Sequence, residues 1–96
     1  MEQIIVKGKI EFCEKENKEY NREFTAMLQD SAAFEYGNKT SVVIVNGKMA
    51  NGMTLAYPEI IDTRYDRTIK RNEADFRLWL KTYFKQHYSE HVLTLY

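Results

Sequence analysis

The N-terminal residues alternate between apolar and charged side chains, which is the period of two expected of a strand with one buried face. Gly8 falls on the buried side, and a glycine inside a strand often marks a bulge or a close approach of two backbones. The sequence therefore predicts a first strand with a local irregularity at Gly8. Its apolar positions are Ile4, Val6, Ile10 and Phe12.

The pattern between residues 18 and 36 fits two different elements. One arc of a helix would hold the apolar residues, which predicts a helix over Lys18 to Tyr36 that ends at Gly37-Asn38. The alternative is a strand over Tyr20 to Leu28, because several of the same residues also alternate. We prefer the helix, since a strand would turn Arg22 to its apolar side and Met27 to its polar side. The apolar residues of the helical arc are Tyr20, Phe24, Met27, Leu28 and Phe34.

A short β-branched run at Ser41 to Val45 predicts a strand with both faces buried. It leads directly into Asn46-Gly47, a strong hairpin signal, and a second Asn-Gly pair follows at Asn51-Gly52. Too few residues lie between the pairs for another strand, so residues 46–52 are predicted to form one irregular connection. A strand at Met53 to Tyr57 and, after Pro58, an extended edge segment at Ile60 to Tyr65 are predicted to follow.

The C-terminal third predicts a helix and a closing strand. Asn72 is a favourable N-cap, acidic residues follow it in the first turn, and the helix is expected to run to about Tyr88. The last residues, His91 to Tyr96, are predicted to form a strand. One face of the helix carries Phe76, Trp79, Leu80, Tyr83, Phe84 and His87.

The order of these elements predicts a single α+β domain over residues 1–96 with a ferredoxin-like (split βαβ) βαββαβ arrangement, in which two helices cover one face of a four-stranded antiparallel sheet. The alternative is an antiparallel sheet that starts with a β-hairpin and carries one C-terminal helix. In the ferredoxin-like order the strand at Ser41 to Val45 lies at a sheet edge, where apolar residues invite pairing with another chain. Val43, Ile44 and Val45 are therefore a candidate protein interface, with a homodimer expected, unless this strand is central.

Composition narrows the class of protein. Apolar residues make up 44% of the 96 residues, which excludes a disordered chain. The 14 basic and 14 acidic residues balance, so a charged partner must be recognised by a local patch. A single cysteine, Cys13, fits a reducing compartment, and no apolar run is long enough for a signal peptide or a membrane span. We therefore expect a cytoplasmic protein without a membrane partner.

Catalytic and metal motifs are weak. His87 to His91 matches a His-x-x-Glu-His zinc pattern, but it lies at a predicted helix end and the chain has no third histidine. Cys13 stands among Glu11, Glu14 and Glu16, which oppose formation of a thiolate. The sequence thus predicts no catalytic residue, no metal and no cofactor, and enzymatic activity is not expected.

Basic residues form the strongest polar pattern. They run through a predicted loop and continue along the last helix with a spacing of four, which would give a basic ridge over residues 64–85. Such a ridge is typical of nucleic-acid contact, although a solvated helix face explains the helical part equally well. The ridge residues are Arg64, Arg67, Lys70, Arg71, Arg77, Lys81 and Lys85.

By elimination, the sequence favours a small non-enzymatic interaction module that binds a protein partner or itself through its sheet. Nucleic-acid binding through the basic ridge is the alternative. An accessory or inhibitory protein of a phage or mobile element would have this size and this lack of motifs.

Overall fold

The computed structural model of the chain describes residues 3–30, 40–54, 58–62 and 72–96. These residues form one antiparallel sheet with the strand order β4-β3-β2-β1-β5, a 3₁₀ helix and one α-helix. The elements are β1 (Ile4–Phe12), the 3₁₀ helix (Lys15–Tyr20), β2 (Arg22–Asp30), β3 (Thr40–Met49), β4 (Glu59–Asp62), α1 (Glu73–His87) and β5 (His91–Leu95).

The helix α1 covers one face of the sheet. Asn72 caps it as predicted, because its side chain accepts a hydrogen bond from the Asp75 amide at 2.9 Å. The predicted apolar face is confirmed except at His87, which is exposed. No helix in the described ranges combines the length and apolarity needed to cross a bilayer. The buried core contains Phe76, Leu80 and Phe84 of α1 and Val6, Ile10, Phe24, Ala26, Leu28, Val42 and Ile44 of the strands.

The predicted helix over residues 18–36 is wrong for residues 22–30, which form β2, while residues 31–36 lie outside the described ranges. The alternation decides the outcome, because Phe24, Ala26 and Leu28 are all buried on the helix side of the sheet. The Arg22 side chain does point to that side, as the strand alternative required. There it donates hydrogen bonds to the Asn46 side chain and to the Tyr20 carbonyl.

The ferredoxin-like arrangement is not confirmed, because the described residues contain one α-helix only. The alternative fits them: β1 and β2 are adjacent antiparallel strands joined through the 3₁₀ helix, and the single α-helix comes near the C-terminal end of the chain. The architecture is therefore an α+β arrangement of an antiparallel sheet and one helix.

The first Asn-Gly pair does not form a turn. β3 continues through Asn46-Gly47 to Met49, and the register shifts there because Phe24 pairs with Asn46 whereas Arg22 pairs with Met49. The extra residue on β3 makes a β-bulge. The turn comes at the second pair, where Gly52 has a φ of 86°.

Two predictions for the following residues are corrected in part. Residues 53 and 54 are not in a strand, so the predicted strand at 53–57 is wrong there, and residues 55–57 lie outside the described ranges. The extended edge segment predicted after Pro58 is found as β4, Glu59–Asp62, at one edge of the sheet. Residues 63–65, which the same prediction included, lie outside the described ranges.

The strand at Ser41 to Val45 is not an edge strand, because β3 pairs with β2 on one side and with β4 on the other. This position explains a run that is apolar on both faces. Val43 and Ile44 are 8% and 1% exposed, whereas Val45, beyond the last pair with β4, is 44% exposed. The edge argument for an interface at these residues is therefore wrong.

No register shift accompanies Gly8, contrary to the predicted irregularity; it pairs with Phe24 and with Leu95 on its two sides. A Cβ atom here would lie 2.5 Å from the Thr94 carbonyl oxygen and 2.9 Å from the Phe24 ring. Gly8 thus allows the backbone of β5 and the Phe24 ring to approach β1 closely.

Candidate functional site

A polar cluster interrupts the apolar, helix-facing side of the sheet. The register pairs Glu59 of β4 with Ile44, so both side chains face α1, and Arg22 and Asn46 face it from β2 and β3. Tyr88, which follows α1 directly, closes the cluster from the helix side. Three strands and the end of the helix thus bring these four side chains together.

Arg22 is held from several directions. Its Nε donates to Asn46 Oδ1 at 2.5 Å, one terminal nitrogen donates to the Tyr20 carbonyl at 3.0 Å, and the guanidinium lies 5.8 Å from the centre of the Tyr88 ring. The side chain is only 6% exposed. Burial of a charge is costly unless it is paired and hydrogen-bonded, so these contacts are what makes the position tolerable.

Glu59 is held less closely. Its carboxylate accepts from Asn46 Nδ2 at 3.4 Å and from the Tyr88 hydroxyl at 3.3 Å, and the nearest Arg22 nitrogen is 3.9 Å away. Hydrogen bonds to a charged group usually span about 2.7 to 2.9 Å. Within the described part of the chain, the carboxylate therefore lacks a donor at close range, and its side chain is 31% exposed.

A cavity of about 390 Å³ opens beside this carboxylate. Four aromatic side chains line it together with the side chains of the ion pair and of Asn17, Met49 and Ser89, and these four are Phe12, Tyr20, His87 and Tyr88. At its rim Asn17 Nδ2 donates to Ser89 Oγ at 3.1 Å, which ties the 3₁₀ helix to the segment after α1. The cavity thus combines an apolar lining with one ion pair of unequal exposure.

Burial, and after it the negative charge of Glu59, raise the pKa of Tyr88 to about 12. Arg22 lowers the pKa of the same hydroxyl, but by less than Glu59 raises it. Burial and Glu59 also raise the pKa of Tyr83. Of the two charges of the ion pair, Glu59 therefore has the larger effect on the Tyr88 hydroxyl.

We expect Tyr88 to ionise near pH 12 and the Glu59→Gln variant to bring this midpoint closer to 10, the ordinary value for tyrosine. NMR of ring-labelled tyrosine measures the midpoint, with Tyr88→Phe identifying the signal. Because the unfolded chain ionises first, the contribution of Tyr88 to stability is complete below pH 10 and is lost as the pH rises from about 10 to 12. An unchanged midpoint in Glu59→Gln would contradict the contribution assigned to Glu59.

A second candidate site is the free edge of β5. Among the described strands, β5 pairs only with β1. The Tyr96 amide donates to the Lys7 carbonyl at 2.8 Å and the Glu90 carbonyl accepts from Cys13 at 3.0 Å, so even-numbered residues point their backbone groups toward β1. Because successive residues alternate, the backbone N–H and C=O groups of His91, Leu93 and Leu95 point outward from the sheet.

One flank of α1 runs beside this edge. Lys81 and Lys85 are exposed and border a cavity of about 370 Å³ together with His91 and Leu93. Neither lysine forms an ion pair within the part of the chain that the structure describes. Arg77 differs, because it contacts the backbone oxygen of Tyr96 at 2.5 Å and Glu73 at 3.3 Å.

The predicted basic ridge is therefore placed only in part. Lys81 and Lys85 lie on one exposed flank of α1, and Arg77 is engaged by its neighbours. The loop members of the ridge lie outside the described residues. They are Arg64, Arg67, Lys70 and Arg71.

The histidine pattern does not form a helical pair, because α1 ends at His87 and His91 begins β5. The His87 ring packs against Tyr83 at 4.5 Å, and His91 Nδ1 lies 2.7 Å from the Ser89 carbonyl. No group of three or more metal-ligating side chains occurs among the described residues. Cys13 is exposed and unpaired with another cysteine.

The sequence interpretation missed the Arg22–Glu59 cluster. An arginine at an inward position of an alternating segment was the available signal, and it was used as an argument against the strand.

Comparisons with models of protein families, with curated proteins and with solved structures give no match to this chain.

Proposed function

We propose that this protein is a non-enzymatic interaction module that binds an extended segment of another protein at the outer edge of β5. The outward backbone groups of His91, Leu93 and Leu95 support this function, because an edge strand can be extended by hydrogen bonding to a further strand. Val92, Leu93 and Leu95 add apolar side chains beside these groups, and Val92 is 57% exposed. A cytoplasmic accessory or inhibitory role remains a prediction from composition and size.

The flank of α1 favours an acidic segment. Four residues of a helix span about 6 Å, so Lys81 and Lys85 are separated along the helix by about that distance. Side chains on one face of an added strand repeat every two residues, or about 6.8 Å. Acidic residues at alternate positions of the partner would therefore face both lysines.

A second copy of the chain fits the same edge less well. Two-fold pairing of β5 with itself would place the α1 flanks of both copies side by side. Lys81 and Lys85 of one copy would then approach the same lysines of the other, and like charges repel. The homodimer expected from the sequence is thus replaced in this proposal by a different, acidic partner.

Fluorescence anisotropy with a labelled seven-residue peptide that alternates valine and glutamate tests the proposal. We expect saturable binding that weakens with added salt, and weaker binding of a matched valine–lysine peptide. Leu93→Pro removes the outward amide and should lower the affinity about tenfold relative to Leu93→Ala, which loses the same packing but keeps the amide.

Equal affinities of Leu93→Pro and Leu93→Ala would contradict strand addition, and equal affinities for the two peptides would contradict the acidic preference. A single-stranded oligonucleotide is included as the competing ligand. Tighter binding of the oligonucleotide than of either peptide, with a steep dependence on salt that Lys81→Glu with Lys85→Glu abolishes, would favour the nucleic-acid alternative instead.

A further inference from the structure

We propose that the aromatic cavity beside Glu59 binds a small organic cation, specifically a primary ammonium group carried on a short apolar or aromatic chain. This site lies on the helix side of the sheet near the end of α1 and is independent of strand addition at β5. Three features of the cavity carry the proposal: the exposed Glu59 carboxylate, the long contacts that this carboxylate makes and the aromatic side chains that line the cavity.

The acidic member of the ion pair is the one more exposed in the cavity. Arg22 and Glu59 form an ion pair of zero net charge, but the Arg22 side chain is 6% exposed and the Glu59 side chain is 31% exposed. Arg22 already donates to Asn46 and to the Tyr20 carbonyl. Arg22 also lines the cavity, but its guanidinium is engaged by these acceptors, so the Glu59 carboxylate is the more accessible partner for a ligand.

The carboxylate has room for a close donor. Each described contact to Glu59 is 3.3 Å or longer, whereas an ammonium group can approach a carboxylate to about 2.8 Å. Such a ligand would supply the short, charge-assisted hydrogen bond that the described neighbours of Glu59 do not provide.

The walls suit a cation with an apolar chain. The electron-rich faces of aromatic rings attract cations, and the rings of Tyr20 and Tyr88 border the cavity together with that of Phe12. The cavity volume of about 390 Å³ falls within the range of small-molecule sites. Glu59 has a larger effect than Arg22 on the pKa of Tyr88, which agrees with a carboxylate close to this wall.

Titration of the ¹⁵N-labelled protein with phenethylammonium chloride, followed by amide NMR, tests the site. We expect saturable shifts at millimolar concentrations in the residues around Glu59, and much smaller shifts with the neutral 2-phenylethanol or the anionic 3-phenylpropionate. Glu59→Gln should weaken ammonium binding about tenfold, because it replaces a charged acceptor by a neutral one.

Glu23→Gln is the matched control, since Glu23 is exposed on the opposite face of the sheet and should leave the affinity unchanged. Tyr20→Leu removes one aromatic wall without touching the ion pair, and it replaces Glu59→Gln if circular dichroism shows that the latter is unfolded. We expect Tyr20→Leu to weaken binding. Undiminished binding by either folded variant, equal binding of the anion, or no saturable shift with the ammonium probe would overturn the proposal.

Discussion

Replacing Phe84 with alanine should lower the free energy of unfolding by about 3 to 5 kcal/mol, because it removes a large ring from the centre of the core. Phe84 is 1% exposed, and its ring lies 5.1 Å from that of Phe24 and 5.2 Å from that of Tyr88. This loss is a large share of the about 5 to 15 kcal/mol that usually stabilises a domain. Urea unfolding followed by tryptophan fluorescence measures the change.

Leu78→Ala is the matched control on the same helix. Leu78 is 63% exposed, so its truncation should change the free energy of unfolding by less than about 0.5 kcal/mol. A loss below about 1 kcal/mol for Phe84→Ala would show that α1 does not pack on the sheet as described.

Local signals were sufficient for α1 and β1. In α1 a capping residue, an acidic first turn and a helical repeat of large apolar residues all favour the same element, and their effects add. Trp79 shows the limit of the pattern, since it lies at the flank of the core, half-buried and stacked on Tyr83 at 5.2 Å. Periodicity identifies a face but does not rank the burial of residues within it.

β2 could not be assigned locally, because the side chains that contact Arg22 are distant in the sequence and only the Tyr20 carbonyl is nearby. Its acceptor Asn46 is 24 residues away, and Glu59 belongs to a third strand. When these partners are unknown, an arginine that points inward argues against a strand. Once they are known, the same arginine is consistent with one. Asn46-Gly47 failed as a turn signal for a similar reason, since pairing of β3 with β2 continues past it through a bulge.

The two candidate sites also differ in how far the sequence alone could predict them. Lys81 and Lys85 could be placed on one flank from their spacing of four, because the helix alone determines it. The Arg22–Glu59 cluster depends on the strand order, the register and the bulge together. Its position follows only once the sheet is known.

We expect Gly8→Ala to detach β5 from the sheet and to lower the free energy of unfolding by about 3 kcal/mol, the upper part of the range for overpacking. The added Cβ would lie 2.5 Å from the Thr94 carbonyl oxygen, and a backbone atom cannot move aside by rotating a side chain. Hydrogen exchange should show the loss directly, because the Tyr96 amide, which bonds to Lys7 of β1, would lose its protection while β2 and β3 keep theirs.

Gly47 and Gly52 serve as controls, because they separate the steric effect of an added Cβ from the effect of backbone strain. A Cβ on Gly47 would lie 3.1 Å from the Glu23 carbonyl oxygen, and Gly47→Ala should therefore cost less than Gly8→Ala. Gly52 has a positive φ but open space around it. Gly52→Ala should therefore lower the free energy of unfolding by only about 1 to 2 kcal/mol, the cost of a left-handed conformation for alanine.

Binding of the valine–glutamate peptide should fall in Gly8→Ala alone, because only that variant displaces β5. Wild-type protection of Tyr96 in Gly8→Ala would refute the close packing of β5 against β1.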